Sequence, residues 1–109
     1  MFLGRVAGTV WSTVKWPQAK GLKLLLVRPY SLEDLAKERA PEKDLVVCAD
    51  VLDAGVGDDV VIAYGHAARV AVSQVLGESE RPNVPIDAAI VAVVDRVQVT
   101  LPEKPRERG

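Results

Sequence analysis

The chain holds one cysteine, one histidine, one phenylalanine, two tyrosines and two tryptophans among its 109 residues, and these scarcities exclude much. A lone Cys48 cannot form an internal disulfide, and in the setting Val46-Val47-Cys48-Ala49 it reads as a small buried hydrophobe. A lone His66 rules out a histidine metal cage or a histidine dyad within one chain. Charge of neither sign is in surplus: 14 basic residues face 15 acidic ones, for a net charge of −1. Nucleic-acid binders need excess Lys and Arg against phosphates, so no nucleic-acid partner is expected. No long apolar run is present either, and residues 88–94 fall far short of the ~18 that mark a membrane span. The opening Met1-Phe2-Leu3-Gly4-Arg5 lacks the basic-then-apolar pattern of a signal peptide. No membrane partner is expected, and the expected location is cytoplasmic.

What the chain does have is aliphatic: 49% of residues are hydrophobic, mostly Val, Ala, Leu and Ile, which favours packed strands. A domain this short buries only about 60–70% of the surface that its unfolded chain exposes, so partners covering apolar surface would help it. Residues 2–14 predict a long strand bent at its glycines, and residues 15–21 a loop. A second strand spans residues 22–28, stopped by Pro29. Residues 31–39 predict a short surface helix capped by Ser31, with Glu33 and Asp34 in its first turn, Lys37 and Arg39 in its last, and Pro41 as its stop. Further strands are expected at 44–51, 59–64 and 86–101, with a turn at 53–58 whose glycines can take positive φ. A second short helix is expected from His66 to about Leu76, and a mobile loop at 77–85. The chain thus divides into one domain over 1–101 and a flexible charged tail over 102–109. The fold class expected is mainly β: a small five-stranded, OB-like Greek-key barrel with one or two short helices. A βαβ sheet would need longer helices between most strands.

No motif for chemistry survives close reading. Gly55-Val56-Gly57 lacks the third glycine and the following helix of a dinucleotide fingerprint. Asp50, Asp53, Asp58 and Asp59 do not follow the alternate spacing of a calcium loop and suit strand ends and turns. Ser12, Ser31, Ser73 and Ser79 are candidate partners for His66 in a triad, but none stands in a Gly-x-Ser-x-Gly elbow. Arg69 suits an anion site or, more often for such an arginine, a structural ion pair, and Trp11 and Trp16 suit ligand stacking or a subunit interface, where tryptophan is enriched. The expectation is a protein without catalytic residues, cofactor or metal. An OB-type oligonucleotide- or ligand-binding module is the alternative, and it would call for a basic groove with exposed aromatics.

Three stretches in order carry a resemblance across nearly the whole chain. The first is Leu3-Gly4-Arg5-Val6-Ala7-Gly8-Thr9-Val10, followed by Thr13, Lys15 and Gly21-Leu22-Lys23-Leu24-Leu25-Leu26-Val27. The second is Ala49-Asp50-Val51, Ala54-Gly55-Val56-Gly57, Val60-Val61, then Gly65-His66-Ala67-Ala68-Arg69. The third is Pro85-Ile86-Asp87-Ala88-Ala89-Ile90-Val91-Ala92-Val93-Val94-Asp95. Together they resemble the EutN/CcmL family, the pentameric vertex proteins of carboxysomes and metabolic microcompartments. The resemblance implies a five-stranded OB-like barrel, assembly as a homopentamer, and a structural role. Such pentamers fill the five-fold vertices of a microcompartment shell otherwise tiled by hexameric proteins, which become the expected partners. It also implies that the shell is where the protein resides.

Three departures give this chain its individuality. Asp53 stands where the family usually has glycine, and His66-Ala67 where it has Ser-Ser. Residues 31–44 form a longer insertion than in compact members. A pentamer needs a heterologous interface, one patch meeting a different patch on the next copy. The candidate pore or subunit-interface residues are Gly65, His66, Ala67, Ala68, Arg69, Asp87 and Asp95, with the two aspartates placed to pair with Arg69 or to cap backbone N–H groups.

Overall fold

A computed structural model describes residues 1–11, 23–76 and 86–100. Five strands and two helices follow in the order β1 (Phe2–Val10), β2 (Lys23–Pro29), α1 (Leu32–Ala36), β3 (Val46–Asp50), β4 (Asp59–Tyr64), α2 (Gly65–Leu76) and β5 (Ala88–Val94). The strands close into a barrel in the order β1-β2-β3-β5-β4. All neighbours run antiparallel except β3 and β5, whose parallel contact is confined to Ala49 beside Ala89 and Asp50 beside Ile90.

Alternation along each strand builds the core. Val6, Leu25, Val27, Cys48, Val60, Ile62 and Ile90 all point inward and are buried together. Each such aliphatic side chain contributes about 1.5–3 kcal/mol by leaving water. Burial also pushes the Cys48 thiol up to about 12, so it stays protonated as the small hydrophobe its setting suggests. Gly4 lies where β1 crosses between β2 and β4, and a Cβ there would run into Val27. On the outer surface the small residues Ala49, Ala63 and Ala89 form a pad from three strands, and Ala68 and Val72 of α2 rest on it. The alanines let the helix approach closely where larger side chains would hold it off.

Residues 59–64 form the expected strand, and the second helix starts one residue early, at Gly65. The capping box of α1 is complete: Ser31 Oγ accepts from the Asp34 N–H, and Asp34 Oδ2 accepts from the Ser31 N–H, each at 3.0 Å. Other boundaries differ from the sequence reading. The helix ends at Ala36, well before Pro41, and Glu38 turns the chain with φ 49°. Lys37 and Arg39 therefore lie beyond its last turn and act as ion-pair partners of Glu33 and Asp34 instead of on the helix dipole. Pro29 ends β2 from inside the strand, paired with Gly4. The third strand is shorter than 44–51, and β5 starts at Ala88 and stops at Val94 instead of running from 86 to 101. Its partner β4 begins at Asp59, opposite Val94, so the ladder between them ends there. The first strand is described to Val10; the loops expected at 15–21 and 77–85, and the tail at 102–109, lie outside the described residues.

In the turn before β4, Gly57 takes positive φ at 94°, but the other left-handed residue is Asp53, at φ 59°. The resemblance implies glycine at position 53, and a left-handed backbone favours glycine there because the Cβ of an L-residue crowds a carbonyl oxygen. Its side chain is almost fully exposed, 3.3 Å from Lys23 Nζ, an exposed pair of little value. Asp53→Gly should therefore raise stability by about 0.5–1 kcal/mol, read as a higher urea midpoint at unchanged slope; a lower midpoint would mean that the ion pair outweighs the backbone strain.

Candidate functional site

Six of the seven candidate residues gather at one end of the barrel. Strand β4 ends at Tyr64, whose ring packs on Phe2 with centroids 4.8 Å apart. The chain then turns into α2 at Gly65, where φ is 59°, and the Gly65 N–H donates to the Asp87 carbonyl at 2.8 Å. That bond joins the start of α2 to the entry of β5. His66 and Ala67 are exposed on the first helical turn, Ala68 is buried on the alanine pad, and Arg69 is half-buried. The Asp87 side chain is exposed beside them. Asp95 stands apart, beyond Val94 and so beside the start of β4, at the other end of the barrel. Among the described residues neither Asp87 nor Asp95 forms an ion pair with Arg69; the contact that Asp87 makes uses its backbone carbonyl.

Three of the four clustered aspartates have a structural task, and Asp53 makes only its exposed contact with Lys23. Asp50 is buried and accepts from the Leu52 and Ala54 N–H groups at 2.9 and 2.8 Å, with Lys23 Nζ at 3.5 Å. Lys23 also donates to the Ala54 carbonyl at 2.7 Å, so the turn after β3 is tied back to β2. Asp58 accepts from the Gly55 N–H at 2.8 Å, closing the turn on itself. Asp59 Oδ1 accepts from Arg5 Nε at 3.1 Å and from Tyr30 Oη at 2.7 Å. Burial, then the bond to Asp59, pushes the Tyr30 phenol up to about 12, which keeps it a donor. Of the candidate triad serines, Ser31 is occupied as a helix cap and Ser73 is buried on α2 two turns beyond the exposed His66. Ser12 and Ser79 lie outside the described residues, as does Trp16; Trp11 is exposed at the end of β1.

Sequence reasoning missed the cluster at the Asp95 end. Arg5, Tyr30 and Asp59 come from β1, the residue after β2, and β4, and no local spacing announces their meeting. Arg39 donates from Nε to Asp34 Oδ1 at 2.7 Å, pinning the insertion into a compact unit. A groove of about 400 Å³ separates this insertion from residues 95–99, with Arg5, Tyr30 and Asp59 among its lining.

Comparison with known proteins gives this arrangement a context. The family described as ethanolamine utilisation protein EutN/carboxysome matches residues 1–95. The bacterial microcompartment shell vertex protein PduN of Salmonella typhimurium is 41% identical over 95 residues, which are 87% of this chain and 96% of that relative. The carboxysome shell vertex protein CcmL of Gloeobacter violaceus is 38% identical over 99 residues, 91% of this chain and 87% of the relative. The solved GrpN pentameric microcompartment shell protein of Rhodospirillum rubrum superposes with a TM-score of 0.70 at 35% identity, covering 92% of this chain and all (100%) of that one.

The insertion carries a pH signature. The Ser31 N–H, then the Arg39 guanidinium, hold the Asp34 carboxyl down at about 2, below its ordinary value of 3.8. A depressed carboxylate stabilises the fold fully above its unfolded value and loses that contribution as pH falls through its folded one. Asp34→Asn should thus be less stable than the parent at pH 7, and the gap in urea midpoint should narrow as pH falls from 3.8 through about 2. A gap of constant size would show that the carboxylate charge is not what holds the insertion.

Proposed function

The chain belongs to the EutN/CcmL family, and from that membership we propose that it closes into a homopentamer set at the vertices of a bacterial microcompartment shell. It is a structural shell protein, not an enzyme. The observation that carries this reading is the match along the whole barrel to relatives named as shell vertex proteins. No helix among the described residues is long and apolar enough to cross a membrane.

Physical features support ring assembly. Tyr64, Val47, Val93 and Trp11 are exposed, leaving apolar surface on several faces of a small domain. A heterologous interface uses two different faces of each copy, so apolar residues on more than one side suit a ring better than a two-fold dimer. Gly65, His66, Ala67, Ala68, Arg69 and Asp87 are our candidates for one face or for the pore rim, and Asp95 belongs to the opposite end. The net charge of −1 does not favour the oligonucleotide-binding alternative; of the aromatics, Phe2 and Tyr64 are stacked on each other, Tyr30 is bound to Asp59, and Trp11 is exposed. Hexameric shell proteins are the proposed partners, and the shell in the bacterial cytoplasm is the proposed location.

A flat hexagonal layer closes only where five-fold points are inserted. Hexameric shell proteins of the matching system should form open sheets or tubes without this chain and closed polyhedra when it is co-produced, as read by electron microscopy. Open assemblies in both cases would contradict the vertex role.

A further inference from the structure

We draw no further inference here: the strongest candidate, the apolar patch on the outer face of the sheet where half-buried Leu26 of β2 lies between Gly8 of β1 and the exposed Val47 of β3, is a face without a partner among the described residues, and nothing in the structure shows what covers it.

Discussion

The barrel closes through a seam only two residue pairs long, Ala49 beside Ala89 and Asp50 beside Ile90. So short a parallel contact supplies few backbone hydrogen bonds, and closure depends on what packs across it. On the outside, α2 packs on β5 and β4 beside the seam, its Ala68 and Val72 in one buried cluster with Ala49, Ala63 and Ala89. On the inside, the carboxylate of Asp50 fixes the direction in which the chain leaves β3 by holding the Leu52 and Ala54 amides. Ala54, drawn in by these bonds, is buried against the core. Asp50 is worth more as a partner than as a charge: replacing it with an apolar residue would strand two amides and a lysine together.

The geometry elsewhere follows from that seam. Strand β3 ends at Asp50 while β5 continues to Val94, so the second half of β5 has β4 as its strand neighbour. Where β4 begins, the ladder runs out, and residues 95–100 leave the barrel beside the insertion. At the opposite end, the Gly65–Asp87 bond sets where α2 starts and where β5 enters. One end of the barrel thus presents the first turn of a helix and the other a segment without a strand partner among the described residues. Two unlike ends are what a subunit needs to meet its neighbour through a heterologous interface.

Much of this architecture is legible in the sequence because it rests on local rules. Val60 and Ile62 are buried with the half-buried Val61 between them, as strand alternation requires, and Ser31 with Asp34 spells a capping box. What local rules do not contain is the neighbour. The sequence of β5 favours strand well past Val94, and the limit comes from where β4 begins, at Asp59, far earlier in the chain. Arg5 and Asp59 are 54 residues apart, and only closure of the barrel brings them together. Gly65, His66, Ala67, Ala68, Arg69 and Asp87 were found through the family pattern alone, and the fold does place them side by side. Asp95 sits in the same pattern, yet lies a strand's length away. Nothing in the sequence around Asp53 announces its left-handed backbone angle.

The central claim is that this barrel is a subunit and is complete only in a ring. Native mass measurement of the full chain over a dilution series tests it most directly. The account predicts a five-chain species that persists to low concentration, without stable dimers or tetramers. A strict monomer at the highest concentration, or a closed two-fold dimer, would contradict it.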